Sequence, residues 1–181
     1  MVADDAAGGR GQVLIEGEHA TLVFWRRLHH PPEVVWRALT EPAALSSWYM
    51  TKAQIDGREG GFVTLEAGPS RLHVTGRILV WDPPRTLEHE WKVAPHPHLP
   101  AGEDAVIRWE LSPEGDGTVL RLRHRNLARE TALGFAPGTH AFLDRLEAHL
   151  EGRTLPAWQD RYQAVAPGYP PSWATPRSRV D

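Results

Sequence analysis

The sequence predicts an α+β domain: a curved antiparallel sheet of about seven strands around a long C-terminal helix, with two short helices after the first strand. Three observations lead there. The stretch Thr139 to Glu151, THAFLDRLEAHLE, places Phe142, Leu143, Leu146 and Leu150 on one apolar arc, with Asp144, Glu147 and Glu151 facing away from it. Ahead of it, runs of alternating polarity are separated by Gly- and Pro-rich turns. The third observation is one of size. About seven strands at ~4.8 Å spacing make a sheet ~30 Å across, whereas a helix is ~10 Å wide. A flat sheet would stay largely uncovered, so the economical solution is a sheet curled round the helix, with an interior space for either a ligand or the wall's own side chains.

Composition bounds the function. The 181 residues suit one domain with a sizeable core, and residues 13–152 are assigned to it. A formal net charge of -3 leaves no basic stripe for nucleic acid, and no apolar run reaches membrane-spanning length, so neither nucleic-acid binding nor membrane insertion is expected. The absence of cysteine excludes disulfides, thiolate metal sites and cysteine nucleophiles. MVADDAAGGRGQ lacks the apolar core of a signal peptide, and a cytoplasmic location is expected. Eight tryptophans point to thick packing or to an apolar pocket wall.

Along the chain, residues 1–12 are Gly-, Ala- and Asp-rich and are expected to be disordered, with order beginning near Val13. The first strand, Thr21 to Leu28, turns Leu22, Phe24, Arg26 and Leu28 to one face and Trp25 and Arg27 to the other. His29-His30-Pro31-Pro32 ends it. Val35, Trp36 and Leu39 mark a helix over Glu33 to Thr40, and Pro42 restarts a second helix through Leu45 and Trp48, closed by Tyr49. Lys52 to Asp56, Phe62 to Ala67 and Arg71 to Trp81 follow as strands, the last with Leu72, Val74, Gly76, Ile78 and Val80 on one face. Thr86 to Val93 sets Leu87, His89, Trp91 and Val93 opposite Glu88, Glu90 and Lys92. Asp104 to Leu111 turns Ala105, Ile107, Trp109 and Leu111 one way, and Thr118 to Arg125 puts Leu120, Leu122 and His124 opposite three arginines. Gly138 and Thr139 are read as the start of the last helix and Gly152 as its C-terminal cap. Residues 153–181 form a Pro- and aromatic-rich tail in which Ala157 to Val165 is expected to make a short helix docked on the domain or on a partner subunit, with looseness from about Ser172.

Four stretches carry a resemblance: LHHPPEVVWRALTEPAALSSWY, GRILVWDPPRTLEHEW, IRWELSPEGDGTVLRLRH and FLDRLEAHL. In this order they resemble the activator of heat-shock-protein-90 ATPase homologue family, within the START-like (SRPBCC) helix-grip superfamily. The resemblance implies a β-α-α-β₆-α arrangement in which an antiparallel sheet grips the last helix. It fixes no activity, because the fold hosts lipid carriers, hormone receptors, polyketide cyclases, hydroxylase components and co-chaperones. The family's chaperone activators carry a separate N-terminal domain, whereas here about 20 residues precede the first strand.

The inward faces assigned above supply an apolar cavity wall of Leu22, Phe24, Phe62, Leu72, Val74, Trp91, Ile107, Trp109, Leu122, Leu143 and Leu146, with polar atoms from Arg26, His89 and His124. The expected occupant is a small apolar or aromatic molecule. The leading expectation is therefore a hydrophobic-ligand-binding protein; the alternatives are a chaperone-associated interaction domain and a cyclase/aromatase-like enzyme with His89 and His124 as proton carriers. No carboxylate or hydroxyl stands at a spacing that would complete a dyad or triad with either histidine. His29-His30 and His96-Pro97-His98 lack zinc-ligand spacing, so neither metal nor cofactor is expected. The tail after Gly152 is expected either to cover the cavity mouth or to build a homodimer contact.

Overall fold

A computed structural model gives the fold and describes residues 9–69 and 71–170. The disorder expected of residues 1–8 and the looseness from about Ser172 lie outside the described residues. Gln12, expected to be disordered, already lies in a strand.

In chain order the elements are β1 (Gln12–Glu16), β2 (His19–Leu28), α1 (Pro32–Thr40), α2 (Pro42–Trp48), β3 (Lys52–Ile55), β4 (Phe62–Ala67), β5 (Leu72–Asp82), β6 (Thr86–Val93), β7 (Glu103–Glu114), β8 (Gly117–Ala128), α3 (Arg129–Leu150) and α4 (Trp158–Val165). The strands form one eight-stranded antiparallel sheet in the order β1-β2-β8-β7-β6-β5-β4-β3. The extra strand is β1, an edge hairpin partner of β2 whose Leu14 and Ile15 stay exposed. Eight strands laid flat would span roughly 34 Å. Yet β1 at one edge contacts α3, and so does Gly68 after β4, which lies 3.2 Å (measured from an ideal Cβ) from Phe142. Both flanks of the sheet therefore reach one helix, which requires the curl.

Register aligns the inner face. One row runs Ile78, His89, Ile107, His124, Leu22 across β5, β6, β7, β8 and β2; the next runs Trp81, Leu87, Trp109, Leu122, Phe24. All except half-buried Trp81 are buried. On the outer face, Glu88 is buried all the same, held by Arg108 at 3.3 Å and Arg125 at 3.2 Å.

The two short helices form as expected, each with Pro at its first position, where the missing N–H costs nothing. Trp48 is fully buried and donates to the Ala38 carbonyl at 2.8 Å, which locks α2 against α1.

Three further expectations are corrected. The last helix starts at Arg129, ten residues before Thr139; Pro137 and Gly138 lie inside it, and the burial of Ala132 and Ala136 holds the extra turns despite the proline. Its C terminus is as expected: Gly152 has φ +65°, with Gly152 N–H donating to His149 O and Arg153 N–H to Ala148 O, the Schellman pattern. Phe62 points outward and is 51% exposed, because Val63 and Leu65 take the inner face and Phe62 shares its side with Thr64 and Glu66. Val80 does not continue the inner face of β5: a bulge between Ile78 and Val80 shifts the alternation, and Trp81 turns inward to meet Trp36 with ring centroids 5.1 Å apart. Asp144 and Glu147, half-buried on the charged side of α3, both pair with Arg26.

Candidate ligand cavity

A cavity of about 580 Å³ lies between the inner face of the sheet, α3 and α4. That volume sits within the range of small-molecule sites. The sheet contributes Leu72, Trp91, Ile107, Trp109, Leu122 and His124; α3 contributes Gly134, Phe135, Gly138, Thr139, Phe142 and Leu143; α4 contributes Trp158, Gln159, Tyr162 and Gln163; Tyr49, Gly68, Pro69 and His98 complete the wall. A second void of about 20 Å³, beneath α2 and bordered by His89, Trp91, Ile107 and Trp109, has room for about one water.

Of the residues expected at the wall, Leu72, Trp91, Ile107, Trp109, Leu122, His124 and Leu143 line the large cavity, and His89 borders the small void instead. Leu22, Phe24, Val74 and Leu146 belong to the solid core. Phe62 is on the outside. Arg26 is inward and buried but does not reach the cavity: its Nε lies 2.7 Å from Glu147 Oε1 and its Nη2 3.2 Å from Asp144 Oδ1, so it is a structural ion-pair centre on the other flank of α3. His140 continues that network. Gly11 N–H donates to Tyr169 Oη at 2.8 Å, the same hydroxyl lies 2.8 Å from His140 Nδ1, and His140 Nε2 is 3.5 Å from Asp144 Oδ2.

The short helix expected over Ala157 to Val165 forms as α4 and lies against the cavity, but the sequence reading named none of its residues as wall. Trp158 and Tyr162 are four apart and so share a helix face; Trp158 packs on Phe142 with centroids 5.5 Å apart and donates to the Gly138 carbonyl at 3.2 Å. Gly138 permits this approach, since a Cβ there would sit 3.1 Å from the indole of Trp158. Aromatic spacing in the tail was the available signal.

The two buried histidines beside the site are neutral. Burial pushes His124 down to about 3, with His89 adding to the effect, and pushes His89 down to about 4. Both imidazoles are uncharged near neutral pH. His89 Nδ1 lies 2.7 Å from the Glu90 carbonyl, which can only accept, so the proton is on Nδ1. Trp91 and His124 meet edge to face with centroids 5.1 Å apart, and Trp91 Nε1 and His124 Nε2 are buried without a hydrogen-bond partner among the described residues. Such atoms are costly unless something in the site satisfies them. No group of three His, Cys, Asp or Glu among the described residues could hold a metal ion, and no described helix is long and apolar enough to cross a membrane.

Solved structures resemble this chain over most of its length. CalU16 from Micromonospora echinospora is 27% identical, with a TM-score of 0.68 over 88% of this chain and 92% of its own. Protein MLL2253 from Mesorhizobium loti is 28% identical, with a TM-score of 0.65 over 75% and 99%. A Bordetella parapertussis protein encoded by BPP1335, at 24% identity and TM-score 0.65 over 93% and 94%, shares the fold. No curated protein matches the sequence. The profile of Activator of Hsp90 ATPase homolog 1-like proteins matches residues 29–151, which span the two short helices, the sheet from β3 to β8 and all of α3. With the helix-grip architecture in place around that match, the chain belongs to the Activator of Hsp90 ATPase homolog 1-like family.

Proposed function

We propose that the protein binds a small apolar or aromatic molecule in the cavity between the sheet, α3 and α4. The observation that carries this reading is a cavity of about 580 Å³ walled largely by aromatic and aliphatic side chains. Side chains left to fill the interior by themselves would leave voids of the order of the 20 Å³ space beside His89. Trp91, Trp109 and Trp158 line the site, so intrinsic fluorescence reports occupancy. Titration with phenanthrene and related tricyclic aromatics is expected to quench that fluorescence saturably, with one molecule bound per chain by calorimetry. Absence of saturable binding across such a set would refute the reading.

Family membership favours a second reading, a chaperone-associated domain acting through its outer surface. Affinity capture from an extract of the source cells, followed by identification of a heat-shock ATPase whose turnover the protein stimulates, would support it. A cyclase- or aromatase-like activity is a third reading, and it requires His124 to move a proton. Neutral His124 suits accepting a hydrogen bond better than donating a proton near pH 7. An activity lost on His124→Ala with ligand affinity retained would restore the enzymatic reading.

A further inference from the structure

The two edges of the sheet are built differently. At one edge β3 carries Lys52 and packs against α2, with its apolar Ala53 and Ile55 partly buried. Charge and a covering helix are what keep an edge strand from pairing with another chain. At the other edge β1 reads Gln12-Val13-Leu14-Ile15-Glu16, without Lys, Pro or a bulge, and Leu14 is 46% and Ile15 43% exposed. No strand among the described residues flanks its outer side.

The hairpin fixes which backbone groups face outward. Gly17 has φ +64° and opens a two-residue loop between Glu16 and His19, the geometry of a type II′ turn, so Glu16 and His19 close the ladder as a hydrogen-bonded pair. Alternation then turns the N–H and C=O of Glu16, Leu14 and Gln12 toward β2, and those of Val13 and Ile15 away from it.

Two copies related by a twofold axis can join these edges antiparallel, provided that outward residues pair with outward residues. Val13 against Val13 sets Gly11 opposite Ile15, but Gly11 N–H already donates to Tyr169 Oη at 2.8 Å. Ile15 against Ile15 sets each Leu14 opposite a Glu16. Val13 against Ile15 uses both outward residues of each strand, and each such pair exchanges both backbone hydrogen bonds. In that register the side chains also match. Val13 and Ile15, on the side of buried Leu22 and Ala20, meet each other; on the opposite side Leu14 meets Leu14 on the axis and Gln12 meets Glu16. Past each end of the ladder, exposed Arg10 stands opposite exposed Glu18 of the second copy.

We propose that β1 is a dimerisation edge, at which a second copy of this chain pairs antiparallel about Leu14 and the sheet continues from one protomer into the other. This contact does not depend on what the cavity holds. It is short, below the ~1,200 Å² of stable interfaces, so the expected dissociation constant is about 10 µM. Sedimentation velocity of the full chain should show the 20.2 kDa species at about 1 µM and a species of twice that mass at about 200 µM. Leu14→Lys sets two ammonium groups face to face on the axis and should weaken association at least 10-fold, whereas Gln54→Lys, the same kind of change at an exposed position of β3, should leave it within about 2-fold. The register has its own test, because the chain has no cysteine. With glutathione disulfide as oxidant, Leu14→Cys should give a disulfide-linked dimer, since residues opposed in a non-hydrogen-bonded pair bring their Cα atoms to about 4.5 Å. Ile15→Cys should stay largely unlinked. A 20.2 kDa species at every concentration, association unchanged by Leu14→Lys or weakened equally by Gln54→Lys, or linkage favoured through Ile15→Cys overturns the proposal. The concentration series on the unaltered chain decides the matter even if a variant does not fold.

Discussion

Gly134 offers a way to separate a cavity that serves a guest from one that merely fails to close. It sits in the second turn of α3, lines the cavity, and a Cβ built on it meets nothing within 4 Å. Gly134→Leu therefore adds a side chain into open space. Exchanging Gly for Leu in a helix gains about 0.8 kcal/mol of backbone propensity. Partial burial of the new side chain against the sheet adds about 1 kcal/mol. A gain of about 1 to 2 kcal/mol in a domain of this size raises Tm by about 3 to 6 °C. The same leucine occupies volume the ligand needs, so affinity for phenanthrene should fall at least 10-fold. Differential scanning calorimetry and isothermal titration calorimetry on the one variant give both numbers. A variant that is more stable yet binds unchanged would place the ligand elsewhere, and a lowered Tm would mean that the space beside Gly134 is not available. Either result refutes the reasoning.

Three further outcomes follow from buried polar groups. His89 and His124 titrate in the fold at about 4 and about 3, below the ordinary value near 6.5, so the unfolded chain binds more protons through the window between. Their contribution to stability is complete above about pH 6.5 and declines on acidification; from pH 7 to pH 5 each should cost about 2 kcal/mol, about 4 kcal/mol together. Urea melts at the two pH values should show a smaller loss for His89→Gln/His124→Gln; an unchanged pH dependence would contradict the burial argument. Arg26→Met leaves Asp144 and Glu147 without their buried partner and is expected to lower stability by about 3 kcal/mol in urea melts, whereas a loss below about 1 kcal/mol would mean the ion pairs are solvated. Tyr169→Phe removes the hydroxyl shared by Gly11 N–H and His140 Nδ1 and should cost about 1 to 2 kcal/mol, with faster hydrogen exchange at Gly11; unchanged exchange would show that the amide has another acceptor.

The alternation of strands β2, β6, β7 and β8 was legible because one face of each is packed and the other carries charge, as with His89 and Trp91 against Glu90 and Lys92. What failed was local. In β4 both alternation sets contain an apolar residue at the start, and only the later Thr64 and Glu66 reveal that Phe62 is outside. In β5 the bulge exchanges Val80 for Trp81, and a bulge changes no residue type that periodicity can detect. The early start of α3 was hidden by Gly134, Pro137 and Gly138, which read as breakers; here the glycines are what allow a cavity and Trp158 next to the helix. Arg26 was correctly placed on the inner face, but its destination depended on which flank of α3 faced it, and that is set by the rotation of a helix whose start was misplaced. The short tail helix was legible, and the four-residue spacing of Trp158 and Tyr162 marks its aromatic face, but that this face meets the cavity is a tertiary fact.

Native mass spectrometry of freshly purified protein, before and after equilibration with phenanthrene, tests the central claim most directly. The account predicts that each 20.2 kDa chain retains one small apolar or aromatic molecule, released on collisional activation, whether carried through purification or added. Spectra containing only the bare chain under both conditions would contradict it.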